Sequence, residues 1–419
     1  MVPALAGNGS ISRLLVACWK AMDSGNVISN PQLKYRLPLY PVQFLCAMAI
    51  VSLGPLLDSM MTDFQVPLAR GGLISAGLFA GNVSGIVVLN MLLAHVRTKT
   101  VLLGGMVLQG AGLLSAGLLS FGLWSLVVAY YVVGLSGALL NASCWMWQAA
   151  HMKKNPATAA LQMILFFGLA MMAVPLVVGA ALDQGASWRE VLAAEGGLSL
   201  LTAAVSAGLP LLDVPGRQNV RYSHLKTLFS HNRGLILGMM GAGFTYVGAE
   251  MTINVWLPKF HLEVYGASDA RASLSVTLFW VGLIAGRLLM MPLAKRFAAA
   301  RLLLWCGCTL AVFTIAVALA PGETLSQALV VGAGLGASAS YGLIGSYSGR
   351  FPGWQGGVAS SLFILCGGMG SITFPYLMGP LAHSAGFRAA LAAVAAPAII
   401  YAALSFVIHA AAQRGHSPT

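Results

Sequence analysis

Long apolar stretches separated by short polar segments run along almost the whole chain. Twelve of them reach about 20 residues, the length of helix that crosses the hydrocarbon core of a bilayer. The shortest separators are Phe121-Gly122 and Pro321-Gly322-Glu323. We predict spans one to twelve at 38–61, 71–95, 100–120, 122–145, 157–182, 189–212, 234–258, 272–294, 301–320, 324–348, 355–382 and 387–410.

The longest polar stretch, Asp213–Arg233, divides these spans into two sets of six. A repeat supports this division, because Gly81 and Gly85 on span two recur 201 residues later as Gly282 and Gly286 on span eight. Two related six-span halves are typical of secondary transporters, which bind substrate between the halves. We therefore predict an N-terminal tail (1–37), an N-terminal six-helix bundle (38–212), a linker (213–233), a C-terminal six-helix bundle (234–410) and a C-terminal tail (411–419).

Composition and charge place the chain in a membrane. Hydrophobic residues make up 58% and charged residues only 8%, whereas a soluble domain has about 25% charged residues. With both termini inside, most of the 23 Lys and Arg residues fall in cytoplasmic segments, as the positive-inside rule requires. We expect a plasma (inner) membrane protein with cytoplasmic termini. The net charge of +12 then follows from topology and does not indicate nucleic-acid binding.

Few ionisable residues fall inside the predicted spans, and each is a functional candidate because a charge at membrane depth is costly. Glu250 on span seven and Asp58 on span one occupy corresponding helices of the two halves. We predict that both carboxylates face one cavity and take up a proton during transport. The alternatives are a structural hydrogen bond for Glu250 and hydration at the outer mouth for Asp58. Glu195 on span six follows a polar entry and is expected near the outer interface.

Polar and aromatic residues on several spans are candidates for binding substrate. Asn141, Trp145 and Gln148 are spaced i, i+4 and i+7, so they share one helix face. Tryptophan rings stack on sugars, although they also anchor helices at the membrane interface. The predicted substrate-binding residues are Asn82, Asn141, Trp145, Gln148, Gln162, Tyr246, Asn254 and Trp280.

Four groups of residues form recognisable motifs: Tyr246-Val247-Gly248-Ala249-Glu250 and Asn254-Val255-Trp256-Leu257 on span seven, Gly286-Arg287-Leu288 on span eight, and Leu161-Gln162 with Phe166-Phe167-Gly168 and Pro175 on span five. With these motifs the chain resembles the major facilitator superfamily over about Pro38 to Ala410, and most closely its fucose-permease (fucose–galactose–hexose:proton symporter) group. The loops after spans two and eight keep basic residues of the family signature, but have His95 and Lys295 where the signature has Asp.

The resemblance implies an all-α membrane protein with twelve transmembrane helices in two pseudo-symmetric six-helix bundles. It also implies a proton-coupled symporter that moves a sugar or another small polar metabolite by alternating access. Arg287, Lys295, Arg296 and Arg97 are then candidates for gating, and Arg287 is expected to pair with a carboxylate or a helix C-terminus. The expected partners are the solute, the proton and the lipid bilayer, with no cofactor or metal and a monomeric protein.

Proton-driven efflux of amphiphilic drugs or metabolites on the same fold is the alternative. Its support is a set of methionines that suit greasy substrates, namely Met163, Met171, Met172, Met239 and Met240. An enzyme is not expected, because the chain has neither a His-Glu-x-x-His nor a Gly-x-Ser-x-Gly motif. An ATP-driven pump is not expected either, because there is no Walker loop.

Overall fold

The computed structural model describes residues 39–92, 96–151, 156–210, 223–351 and 354–414, and almost all of them are helical. The first six spans are Leu39–Val51 with Leu53–Asp63, Leu68–Leu92, Thr98–Leu114 with a π-helical turn at Ser115–Leu119, Leu123–His151, Pro156–Asp183 and Trp188–Ala207. Spans seven to twelve are Ser223–Tyr265, Asp269–Leu293, Ala299–Leu319, Glu323–Ala337 with Ser340–Ser346 and a 3₁₀ turn at Tyr347–Arg350, Trp354–Ala385, and Phe387–Ala393 with Ala395–Arg414.

These helices reproduce the predicted spans. Among the described residues, ten helical segments are long and apolar enough to cross a membrane, and the bent pair that forms span one is an eleventh. Span seven is the remaining helix, with 43 residues and several polar side chains. It begins at Ser223 and so includes the last part of the predicted linker. The predicted N-terminal tail and residues 211–222 lie outside the described residues.

Polar side chains define where several spans begin. Ser187 accepts a hydrogen bond from the backbone N–H of Glu190, and the Glu190 carboxylate accepts one from the backbone N–H of Ser187. This reciprocal arrangement satisfies donors that the first turn of span six leaves without partners. Ser268 caps span eight in a similar way through the N–H of Arg271.

The repeated glycines allow two equivalent pairs of helices to touch. A Cβ atom at Gly81 would collide with the carbonyl oxygen of Tyr131 on span four. A Cβ at Gly282 would collide with the carbonyl oxygen of Val331 on span ten. Small residues let helix backbones approach closely inside a membrane. The repeat in the sequence therefore corresponds to the same packing in both halves.

The two halves touch through spans one and seven, two and eleven, and five and eight. Gly54 on span one lies against the carbonyl oxygen of Asn254, and Gly72 on span two lies against the backbone at Pro375 and Tyr376. These contacts lie towards the end of the molecule formed by residues 64–67, 184–187 and 266–268, which we call the predicted outer face. The opposite end is the predicted inner face.

Candidate functional site

Glu250 is buried inside the C-terminal half, with 6% of its surface exposed. Tyr246 lies one helical turn earlier on span seven, close enough for its side chain to interact with the carboxyl group. Arg287 on span eight is close enough for its positive charge to act on Glu250. The sequence predicted each of these three residues as functional, and the structure brings them together. We call them the Glu250 cluster.

The Glu250 cluster also holds the break in span ten. The first helical segment of that span ends at Ala337 and the next begins at Ser340, which leaves carbonyl groups without helical partners. The Tyr246 hydroxyl donates a hydrogen bond to the Ala337 carbonyl oxygen at 2.9 Å. Arg287 Nε donates to the Ser338 carbonyl oxygen at 3.1 Å. Two neighbours of the carboxyl group therefore stabilise an interruption in an adjacent helix.

Trp280 and Asn254 form a polar pair at the boundary between the halves. Trp280 Nε1 donates to Asn254 Oδ1 at 2.8 Å. The Asn254 amide nitrogen lies 3.4 Å from the Glu250 carbonyl oxygen, one turn earlier on the same helix. The Trp280 ring meets Phe167 of span five edge-on, with ring centroids 6.3 Å apart. Span five belongs to the N-terminal half, so this pair is covered by the opposite bundle.

A second tryptophan–asparagine pair lies in the N-terminal half. Trp145 Nε1 donates to Asn141 Oδ1 at 3.0 Å, and Gln43 Nε2 on span one donates to the same oxygen at 3.4 Å. Gln148 follows on the same helix face and is buried, whereas Trp145 is 38% exposed. Asn141 and Trp145 thus meet on the face that the sequence predicted, and Gln43 of span one also bonds to Asn141. In each half, a tryptophan therefore donates a hydrogen bond to an asparagine.

The structure pairs Asp58 with Lys259 and not with Glu250, and a single cavity that both carboxylates face stays a prediction. Asp58 is ion-paired with Lys259 of span seven, which is nine residues beyond Glu250, or about 13 Å at the helical rise. Lys259 also pairs with Glu263 at 3.0 Å. Lys259 lies one residue beyond the predicted end of span seven, but the helix continues through it and its side chain is buried. The Asp58–Lys259 pair joins the two halves near the predicted outer face.

The remaining predicted residues lie apart from the Glu250 cluster. Asn82 is half-buried on span two. Arg97 is exposed before span three, and Lys295 and Arg296 are exposed beyond the end of span eight, all at the predicted inner face. The Gln162 side chain and His95 lie outside the described residues. The gating role of the three basic residues stays a prediction.

Tyr341 and Glu195 are two residues whose environment the sequence did not indicate. Tyr341 follows the break in span ten, is 42% exposed, and has Glu250 within electrostatic range. Its ring packs on Phe363 with centroids 4.9 Å apart. Glu195 was expected near the outer interface, yet it is buried inside the N-terminal half. The only sequence signal for Tyr341 was the small-residue run before it, which includes Gly336 and Ser338.

Known proteins resemble this chain in fold. A bacterial homologue of the human lysosomal transporter Spinster, in an inward-facing and unoccupied conformation, is similar in fold with TM-score 0.75 and 16% identity; the match covers 93% of this chain and 100% of that chain. The nucleoside transporter NupG gives TM-score 0.72, 13% identity and coverage of 90% and 98%. A D-xylose–proton symporter gives TM-score 0.67, 17% identity and coverage of 90% and 96%.

The family assignment comes from the sequence. No curated protein matches the chain at the level of sequence. The profile of the Major Facilitator Superfamily matches residues 39–322 and 239–419, which together cover nearly the whole chain. With its helical spans, its repeat and its fold, the chain belongs to the major facilitator superfamily of membrane transporters.

Proposed function

We propose that this transporter couples the movement of a small polar, sugar-like solute to protons, and that Glu250 carries the coupling proton. The observation that supports this most strongly is the position of Glu250, buried between Tyr246 and Arg287 at the break in span ten. An ionised carboxylate attracts Arg287, and protonation removes that attraction. Because Arg287 also bonds the Ser338 carbonyl, the proton changes the forces on a hinge in the helix.

The two tryptophan–asparagine pairs are the proposed contacts for the solute. A tryptophan ring packs well on the apolar face of a sugar, and amide groups bond its hydroxyls. In this conformation Trp145 is accessible, whereas Trp280 is covered by Phe167. We expect the solute to contact Trp145 first and Trp280 after the halves move. The similarity in fold to a D-xylose–proton symporter and to a nucleoside transporter supports a ring-shaped polar solute.

The five methionines give the efflux alternative little support. Met163, Met171 and Met239 are each no more than 2% exposed, and Met172 and Met240 are partly buried against the same core. Their side chains pack within the core of the bundles rather than lining an open surface. Methionine at such positions fills gaps between helices. The methionines therefore give no particular reason to expect an amphiphilic substrate.

The test of Glu250 uses purified protein in liposomes that contain a pH-sensitive dye. A panel of pentoses, hexoses and nucleosides is added outside, and wild type is compared with Glu250→Gln and with Asp63→Asn. Asp63 is a matched control, because its side chain is 45% exposed and pairs with Arg189 at the surface. We expect solute-dependent acidification in wild type and Asp63→Asn, and none in Glu250→Gln.

Solute exchange without net proton movement completes the test. The glutamine variant should still exchange labelled solute for unlabelled solute, because exchange does not need the coupling proton. Loss of acidification with retained exchange would assign the proton to Glu250. Normal acidification in Glu250→Gln would show that the proton binds elsewhere. Absence of acidification for every solute in wild type would reject proton-coupled import of this class.

A further inference from the structure

A second buried carboxyl group lies in the N-terminal half, away from the Glu250 cluster. Glu195 on span six has 7% of its surface exposed. The Ser52 hydroxyl donates a hydrogen bond to Glu195 Oε2 at 3.1 Å. Glu195 Oε1 and the hydroxyl of the fully buried Tyr130 on span four have no hydrogen-bond partner within the part of the chain that the structure describes. Tyr130 is within electrostatic range of Glu195.

The surroundings of Glu195 offer no compensating positive charge. Among the described residues Glu195 forms no ion pair, and Tyr130 is the only titratable side chain with an electrostatic interaction with its carboxyl group. A buried carboxylate without a cation is costly, particularly at membrane depth. A proton on Oε1 removes this charge and gives the atom a hydrogen to donate. The site therefore has the composition of a proton-binding site.

Ser52 places this carboxyl group at the bend of span one. The segments Leu39–Val51 and Leu53–Asp63 meet at 42°, with Ser52 as the single residue between them. Pro55 contributes to the break, because it has no N–H to donate to the Val51 carbonyl. The hydrogen bond from Ser52 to Glu195 thus ties the bend to span six.

The segment beyond the bend contacts the C-terminal half at two places. Gly54 lies against the carbonyl oxygen of Asn254, one turn after Glu250, and Asp58 is paired with Lys259. A change in the bend at Ser52 moves both contacts, because they lie on one short helix. A continuous set of contacts therefore connects Glu195 to span seven and to the predicted outer face.

We propose that Glu195 is a second proton-binding carboxyl group, and that its protonation sets the bend of span one at Ser52 and so controls closure of the predicted outer face. The proton binds Oε1 from water and leaves by the same route, with no other group consumed. The proposal deepens the proposed function and rests on its proton coupling, but its test needs no substrate.

Infrared spectroscopy tests whether Glu195 binds a proton. The carbonyl stretch of protonated carboxyl groups is followed as a function of pH in wild type, Glu195→Gln, Glu250→Gln and the double variant. We expect one band to disappear in Glu195→Gln and to persist in Glu250→Gln. Tyr130→Phe should shift the frequency of that band without removing it. An identical set of bands in Glu195→Gln and wild type would overturn the proposal.

Distance measurements test the link to the outer face. Spin labels are attached at Gln65 and Ala267, in loops of the two halves at the predicted outer face, in a protein whose own cysteines have been replaced. We expect the distance distribution to depend on pH in wild type and in Glu250→Gln, and to lose that dependence in Glu195→Gln. An unchanged pH dependence in Glu195→Gln would overturn the control of closure.

A further variant covers the case in which Glu195→Gln fails to fold. Ser52→Ala leaves the carboxyl group in place and removes its bond to the bend. We expect it to retain the Glu195 infrared band and to lose the pH dependence of the distance. If Ser52→Ala keeps that dependence, the bend does not transmit protonation. Failure of the Glu250 test in liposomes leaves these results unaffected, so the two proposals are separable.

Discussion

Tyr246 and Arg287 each interact with two groups, the Glu250 carboxyl group and a backbone carbonyl group of span ten. Each donates a hydrogen bond to a carbonyl group at the break in that span. A buried carbonyl that loses its donor cannot turn to water. Substitution of either residue should therefore disturb the hinge as well as the carboxyl group.

Replacement of Tyr246 by phenylalanine isolates the hydrogen bond to Ala337. We expect the free energy of unfolding to fall by about 1 kcal/mol. This value lies between the average contribution of a side-chain hydrogen bond in a membrane protein and the larger cost of leaving a buried carbonyl group without a donor. The melting temperature in detergent measures the effect. Tyr131→Phe is the control, because Tyr131 is exposed. Equal melting temperatures for the two variants would mean that the break in span ten does not need this donor.

Short breaks interrupt the helices of spans one, ten and twelve, and the first two of these breaks lie beside buried carboxyl groups. The break in span one coincides with Pro55, and that in span ten with the small residues around Ser338. Both breaks adjoin a buried carboxyl group, Glu195 in the first half and Glu250 in the second. In the proposed mechanism, the helices that bend during transport therefore lie beside the groups that bind protons.

The glycines of the repeat give a prediction about helix packing. Gly81→Ala and Gly282→Ala should each destabilise the protein by at least about 1–3 kcal/mol, the usual cost of overpacking. The reason is that each new methyl group would meet a backbone oxygen, which cannot rotate away. Yield of monodisperse protein and melting temperature are the measurements.

Gly104 on span three is the control for these two variants. It has no atom within 4 Å of the site where its Cβ would lie, and alanine favours helix by about 1 kcal/mol over glycine. Gly104→Ala should therefore leave the melting temperature unchanged or raise it. A fall as large as that of Gly81→Ala would show that close packing of spans two and four is not the cause.

The two halves are joined at the predicted outer face by polar contacts as well as by close packing. Lys259 pairs with Asp58 across the boundary, and Ser268 donates a hydrogen bond to Asp183 at 2.8 Å. Both contacts must break if the outer face is to open. These two contacts therefore stabilise the conformation in which the outer face is closed.

Charge exchange tests the Asp58–Lys259 contact in the whole molecule. Asp58→Asn and Lys259→Met should each shift the free-energy difference between the closed and open conformations towards opening by on the order of 1–3 kcal/mol. Each 1.4 kcal/mol changes the ratio of open to closed protein by roughly tenfold. The double variant Asp58→Lys/Lys259→Asp should restore closure. Spin-label distances between Gln65 and Ala267 measure the ratio.

Glu263 provides the comparison for that experiment. It also pairs with Lys259, but its side chain is 49% exposed and it lies on the same helix. Glu263→Gln should therefore open the outer face less than Asp58→Asn. Equal closure in wild type and in both single variants of the Asp58–Lys259 pair would show that the pair does not hold the outer face.

The class of the protein, its spans and the repeat between its halves could all be predicted from the sequence. Apolar stretches of about 20 residues have one low-energy solution in a bilayer, because each backbone group must then be bonded within a helix. The repeat with Gly81 and Gly282 was visible because close helix contacts admit only the smallest residues. Glu250, Tyr246 and Arg287 stood out since polar residues are rare at membrane depth.

The polar residues that meet could be identified from the tertiary structure alone. Asp58 and Glu250 were predicted to face one cavity from spans one and seven, and the structure shows that Asp58 pairs with Lys259. Glu195 had no sequence feature that indicated its bond to Ser52, which is 143 residues away. Such contacts depend on the rotation and bending of each helix, which the packing of all its neighbours sets together.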